Sequence, residues 1–232
     1  MINKKILIVA AHPDDEILGC GGTIAKLVKN NCKVDVLFLS EGVSARSKLG
    51  EVRKWDKEIA ARELMAQSAA KYLGFSIIEF MRYPNLRMDT LSILDISKSI
   101  QEIIDKKKPN IVFTHHYGDL NTDHQICFNA VVTACRPSGI DFIESIFSFE
   151  VSSSTEWSSS INLPSFQPNY YIDITNEIDS KFEALNFYNF EMRDFPHPRS
   201  KENIKALAQI RGSEIGFKFA EAFMLIRGGF KT

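Results

Sequence analysis

Short apolar runs and longer amphipathic ones alternate along the first half of the chain. Ile6-Leu7-Ile8-Val9-Ala10 is continuously apolar, the pattern of a strand buried on both faces. Gly19, Gly21 and Gly22 follow, then Ala25, Leu27 and Val28 at helical spacing. Residues 33–39 read as a second strand ending at Ser40-Glu41-Gly42. In residues 51–73, Val52, Trp55, Ile59, Ala66, Ala69 or Ala70, and Leu73 keep a helical period, with Gly74 as the natural stop. A third strand is expected over 76–81 and a loop at Tyr83-Pro84-Asn85-Leu86-Arg87. Ile93, Leu94, Ile96, Ile100, Ile103 and Ile104 mark the next helix. Lys106-Lys107-Lys108 suits the negative end of its dipole as a solvated helix end, and Pro109 closes it.

Residues 110–114 predict a fourth strand. Ile126, Cys127, Ala130, Val131 and Ala134 predict the helix after it, and residues 144–149 a fifth strand. Four β-then-α alternations within 136 residues predict an α/β fold: a mainly parallel, Rossmann-like sheet with helices on both faces, in one domain over 1–232. The pattern then changes. Residues 151–168 are rich in Ser and read as a long loop. Residues 170–174 read as a strand, and Thr175 as the cap of a helix whose Phe182, Leu185, Phe187 and Phe190 are expected in the core. Pro196-His197-Pro198-Arg199-Ser200 interrupts before a last helix from Lys201, and residues 220–227 read as a closing strand.

Composition narrows the function. A chain of 232 residues with 44% hydrophobic and 25% charged residues is ordinary for a globular protein. A net charge of −1 argues against a general nucleic-acid or membrane-surface binder. No apolar run approaches the ~20 residues of a membrane span, and the N-terminus is a poor signal peptide, so a cytoplasmic location is expected. Cys20, Cys32, Cys127 and Cys135 have no C-x-x-C spacing and read as buried free thiols.

The candidate chemistry lies where strands hand over to helices, the edge at which open α/β sheets place ligands. After the first strand comes Ala11-His12-Pro13-Asp14-Asp15-Glu16. His12 and Asp15 can converge on one cation across such a turn. Adjacent carboxylates point apart, so Asp14 would face a water instead. The same residues also suit a capping Asp pair beside a turn histidine. After the fourth strand come His115, His116 and Asn121-Thr122-Asp123-His124. His12, Asp15 and His124 together make a two-histidine, one-carboxylate set with open positions, which suits zinc and nearly as well Fe(II) or Co(II). Asp123 is placed to orient a neighbouring ligand.

The Ala-His-Pro-Asp-Asp-Glu stretch resembles the signature of the PIG-L/LmbE-like deacetylases. Asp119-Leu120-Asn121-Thr122-Asp123-His124 is similar to the family's second ligand motif. Arg62-Glu63 and Leu73-Gly74 resemble its long second helix. Pro196-His197-Pro198-Arg199-Ser200, Arg211-Gly212 and Ala220-Glu221-Ala222-Phe223 resemble a bacterial branch associated with surface sugars. The resemblance implies a metal-dependent enzyme, usually zinc, that removes N-acetyl groups from amino sugars or their conjugates. It places His12, Asp15 and His124 on the metal ligands and Asp14 on the general base. Asn121 stands where the family commonly has His, so it can support the oxyanion but cannot carry the proton of an acid. His197, in its stiff Pro-His-Pro setting, is then the first candidate for the leaving-group proton, with His116 second and protonated Asp14 third.

The remaining residues carry two readings each. Arg62 binds a sugar oxygen or forms a helix salt bridge, and His116 lines the substrate site only if alternation turns it inward. His115 reads as a packed strand-end residue. Asn85 and Arg87 line the sugar site or form a turn. A homo-oligomer is allowed. Alternative functions are an O-acetyl esterase, a non-catalytic metal or sugar binder, and a nucleotide-binding protein. The last lacks a true G-x-G-x-x-G after the first strand.

Overall fold

The computed structural model describes residues 1–47, 54–140, 142–159 and 161–229. Seven strands among them form one sheet in the order β3-β2-β1-β4-β5-β7-β6. β1 (Lys5–Ala10), β2 (Lys33–Ser40), β3 (Ser76–Tyr83), β4 (Ile111–His115) and β5 (Ser145–Phe149) are parallel. β7 (Ala220–Gly228) runs antiparallel beside β5, and β6 (Tyr170–Asp173) antiparallel beside β7.

The helices are α1 (Asp15–Lys29), α2 (Asp56–Leu73), α3 (Ile93–Lys107), α4 (Thr122–Ala134), α5 (Ile178–Asn186) and α6 (Lys201–Ser213). Alternation along β1 explains why both faces must be covered. Ile6, Ile8 and Ala10 enter a core with Ile24 of α1, Ala66 and Leu73 of α2, and Leu185 of α5. Leu7 and Val9 enter a second core with Ile96, Ile100 and Ile104 of α3 and Cys127 and Val131 of α4. Each fully buried Ile or Leu contributes about 1.5–3 kcal/mol. Chain order reverses between β1 and β4, which lie side by side, so their carboxyl ends open the crevice where such sheets bind ligands.

Gly74 takes the left-handed conformation (φ 82°) that ends α2, as its spacing implies. α2 begins at Asp56, and Glu51 and Val52 of the expected helix lie outside the described residues. Several other expectations are corrected. β3 runs two residues past Met81, to Tyr83. Thr175 does not cap α5: its Oγ1 accepts from the Phe219 amide, and Glu177 precedes the helix. α5 stops at Asn186, so the helical phase that put Phe187 and Phe190 in the core does not continue. Tyr188 is buried instead, and Phe190 is 68% exposed. No helix among the described residues is long and apolar enough to cross a membrane.

Candidate metal centre and cavity

The turn after β1 is held in an unusual conformation. Pro13 fixes its own backbone, and Asp14 then takes φ 125°, a region L-residues avoid. Local bonds hold this strain. The Asp14 amide donates to Glu16 Oε2 at 2.9 Å, and Tyr188 Oη donates to Glu16 Oε1 at 2.6 Å. Burial pushes the Glu16 carboxyl up to about 8, against the pull of those bonds. Asp14 thereby points its carboxylate into the crevice while Asp15 turns inward.

Asp15 Oδ2 accepts the His12 amide at 2.9 Å and lies 3.2 Å from His12 Nδ1 and 3.3 Å from His124 Nε2. Donor atoms of these three buried residues lie within 4.8 Å of one another. Ligands at about 2.0–2.1 Å around a tetrahedral ion would be about 3.3 Å apart, so the spacing fits. Each histidine also has its other nitrogen on a carboxylate. His12 Nε2 meets Asp123 Oδ2 at 3.0 Å, and His124 Nδ1 meets Asp119 Oδ2 at 3.2 Å. That fixes which nitrogen faces the cluster. His124 Nε2 is buried without a hydrogen bond, an orphan that a cation would satisfy. Burial alone would lower the His124 imidazole, but Asp15 and Asp119 overcome it and raise it to about 10. Burial alone would raise Asp15, but His124 and His115 hold it well below the usual carboxylate range. The carboxylates thus converge where positive charge is needed.

The partner carboxylates also build the walls. Asp123 accepts the Leu86 amide at 2.7 Å and the Met88 amide at 3.3 Å, pinning the loop after β3. Asp119 accepts from Thr155 Oγ1 at 2.7 Å, the Asn121 amide at 2.8 Å and Ser154 Oγ, pinning the Ser-rich loop over His124. Glu41 ties the turn after β2 to the same region through the Asn85 amide at 3.0 Å. Gly42, at φ 73°, lies where a Cβ would meet Arg62 Nε at 3.0 Å.

A cavity of about 650 Å³ opens above the cluster, lined by His12, Asp14, His124, Arg62, Asn85, Asn121 and Arg199 among others. Arg62 is buried: its Nε donates to the Pro13 carbonyl at 3.0 Å, Nη2 meets Asp14 Oδ2 at 3.0 Å, and Nη1 meets Glu191 Oε1. It is therefore both a cavity residue and an ion pair. Arg199 Nη1 donates to the same Asp14 oxygen at 2.8 Å. Burial raises the Asp14 carboxyl above its usual value even though Arg62 and Arg199 oppose the shift. Asn121 caps α4, its Oδ1 accepting the Asp123 amide at 2.9 Å, which leaves Nδ2 as the group it offers the cavity.

Two expected site residues lie elsewhere. His116 does not line the cavity: its Nε2 is 2.8 Å from the Pro164 carbonyl and its ring packs on Tyr117 and Phe166, so it holds the loop before β6. His197 is also absent from the lining. Its Nδ1 accepts the Arg199 amide at 3.1 Å, and its ring meets Trp157 edge-on at 5.6 Å. It shapes the turn that delivers Arg199. His115 is the packed residue expected, stacked on His124 at 3.8 Å and accepting the Ala11 amide at 2.8 Å. Sequence reasoning gives Glu191 and Arg199 no role and does not pair Asp119 with His124. Asp119, five residues before His124, and Arg199, inside the Pro196-His197-Pro198-Arg199-Ser200 stretch, carry the usable signals.

A family model described as PIG-L, GlcNAc-PI de-N-acetylase, matches residues 7–135. The chain belongs to the PIG-L family. Among its relatives, the diacetylchitobiose deacetylase of Thermococcus kodakarensis is 24% identical over 239 aligned residues, covering 98% of this chain and 85% of that one. The solved N,N'-diacetylchitobiose deacetylase of Pyrococcus horikoshii superposes on this PIG-L protein with a TM-score of 0.76 at 22% identity, covering 96% of this chain and 84% of the other. GalB, the 4-carboxy-2-hydroxymuconate hydratase of Pseudomonas putida, superposes equally well, at 0.76 and 22%, covering 99% and 98%. The PIG-L fold therefore does not fix the reaction, which has to be argued from the site.

Proposed function

We propose that this protein is a divalent-metal-dependent hydrolase that removes the N-acetyl group from an N-acetylated amino sugar or sugar conjugate. The observation that carries the reading is the division of two adjacent carboxylates. Asp15 faces His12 and His124, while Asp14 is turned by its strained backbone into the cavity. His12 Nδ1, an Asp15 oxygen and His124 Nε2 would hold the ion. Zinc suits the donors, and Fe(II) or Co(II) fit them too. A bound ion supplies a Lewis acid and acidifies a water.

The chain's own groups do the rest. Asp14 Oδ2 is anchored on Arg62 and Arg199, so Oδ1 is the oxygen that takes a proton from the attacking water. Burial, by raising this carboxyl, suits it to hold that proton and return it to the departing amine. With His116 and His197 away from the cavity, Asp14 serves as both base and acid. Asn121 Nδ2 donates to the acetyl oxygen as charge develops on it. Family membership and the diacetylchitobiose deacetylase relative support an N-acetyl sugar as substrate.

The test is amine release from N-acetylglucosamine, diacetylchitobiose and their glycosides by zinc-supplied protein, with O-acetyl esters and an unsaturated dicarboxylate in parallel. The expected result is amine plus acetate, lost on chelation and reduced at least ~10²-fold in Asp14→Asn with metal retained. Release by metal-stripped protein, or turnover of only the ester or the unsaturated acid, would overturn the proposal.

A further inference from the structure

Three large apolar side chains stand half-exposed around the mouth of the same cavity: Leu86 at 48%, Leu120 at 51% and Trp157 at 52%. They come from three different segments, and each segment is fixed. Leu86 is pinned through its amide to Asp123, and Leu120 lies between Asp119 and the α4 cap. Trp157 follows the hydroxyls that bind Asp119 and is braced edge-on by His197. The rim is therefore built rather than incidental.

Leu86 adds an independent sign. Its φ is 53°, the left-handed region, which costs a Leu about 1–2 kcal/mol and which Gly or Asn takes readily. Accepting two amides at Asp123 requires the turn but not the Leu side chain. That side chain is nonetheless held out at the cavity mouth. Non-glycine residues held in this region cluster at ligand-binding positions.

The cavity is also larger than the reacting sugar. N-acetylglucosamine has roughly 15 non-hydrogen atoms. Even at about 30 Å³ each, the share of a liquid water, it fills about 450 Å³, less than the 650 Å³ present. The extra volume leaves room for a group attached to the sugar. At the mouth, Leu86, Leu120 and Trp157 offer such a group apolar surface.

We propose that the rim formed by Leu86, Leu120 and Trp157 binds an apolar aglycone, so that the substrate is an N-acetylated amino sugar carrying an alkyl or aryl group. This rests on the deacetylase reading above and specifies its substrate class. The sugar lies over the His12, Asp15 and His124 cluster, and the apolar group lies along the rim with Trp157 on one side.

The experiment uses the methyl, butyl and hexyl β-glycosides of N-acetylglucosamine as substrates of the metal-loaded protein. In parallel, the matching glucosides, which have no acetyl group to lose, are titrated against the Trp55→Phe variant, in which Trp157 is the single tryptophan. The expected result is a rise in kcat/KM of roughly 2–4-fold per added methylene, the size of a partly to fully buried CH₂. Quenching of Trp157 should tighten with length in the same way. Leu86→Asn keeps the turn and relieves its strain, so its melting temperature should hold or rise while the dependence on length flattens. Leu120→Ser should flatten it too. Tighter glucoside binding with length but no turnover of any glycoside would support the rim and sink the deacetylase reading. Length-independent turnover and quenching would overturn the rim while leaving deacetylation standing. A dimer that Leu120→Ser dissociates, with no length dependence, would assign the patch to a second copy and also overturn it.

Discussion

Replacing Asp119 by Asn changes almost no volume, yet it should disable the candidate metal centre through a tautomer. Asp119 Oδ1 accepts the Asn121 amide at 2.8 Å, and that N–H can only donate. The oxygen of the new amide must therefore stay on that side, which turns its NH₂ toward Thr155 Oγ1 and His124 Nδ1. Thr155 can reverse its hydroxyl and accept. The imidazole can accept only by giving up its Nδ1 proton and keeping one on Nε2, the atom that faces Asp15 at 3.3 Å. A protonated Nε2 has no lone pair left for a cation. Losing such a partner typically weakens metal affinity 10–100-fold, so zinc affinity in Asp119→Asn should fall by about that factor. Without metal, the same change removes a charge-assisted hydrogen bond of about 1.5–3 kcal/mol. At about 2–4 °C per kcal/mol for a chain this long, melting should fall by roughly 3–12 °C. Chelator competition reads the first quantity and thermal melting in chelator the second. Zinc affinity within twofold of the unsubstituted protein would refute the tautomer reasoning.

Arg199→Ala leaves Asp14 with Arg62 alone. It should lower kcat at least tenfold with metal content unchanged, and Arg199→Lys should restore little because a point charge does not reproduce the guanidinium that also bonds Ser153 Oγ at 2.7 Å. Gly118→Ala would place a Cβ 1.9 Å from the Pro164 carbonyl oxygen. A melting drop of several degrees, the scale of ~1–3 kcal/mol of overpacking, is expected, and unchanged melting would show that the loop moves freely. Burial pushes the Cys127 and Cys135 thiols up to about 12 and Cys20 well above its usual value. A disulfide reagent at pH 8 should therefore leave these three unlabelled in the native protein, and label all four cysteines once it is unfolded.

The sheet was readable because its strands are short-range patterns. Ile6-Leu7-Ile8-Val9-Ala10 announces a strand covered on both sides whatever surrounds it. The donor set was readable for a related reason: His12 and Asp15 lie three residues apart, and both ligand motifs fall where a strand hands over to a helix. Failures came where a role depends on distant chain. Arg199 lies 185 residues from the Asp14 it binds, and no periodicity connects them. His116, just past a strand end, and His197, in its Pro-His-Pro setting, look like site residues in sequence. Their rings are committed to Pro164 and to the Arg199 amide, contacts that only the folded loops create. The period expects Phe187 and Phe190 in the core, but the helix ends at Asn186, and a period extended past its helix assigns the wrong face.

The boundary of the family match divides the cavity in an informative way. Residues 7–135 contain His12, Asp14, Asp15 and His124, whereas Trp157, Glu191 and Arg199 on the cavity wall come from the remainder of the chain. The candidate reacting groups and much of the enclosure thus come from opposite sides of that boundary. The later portion is joined to the earlier all along the β4–β5 pairing, by α5 packed on α1 in a shared core, and by Tyr188 on Glu16, Glu191 on Arg62 and the hydroxyls on Asp119. Exchanging the whole enclosure for a relative's would therefore cut the sheet at β4 and open the core behind the cavity. Selectivity is better altered by single substitutions on the wall, which leave the His12, Asp15 and His124 cluster in place.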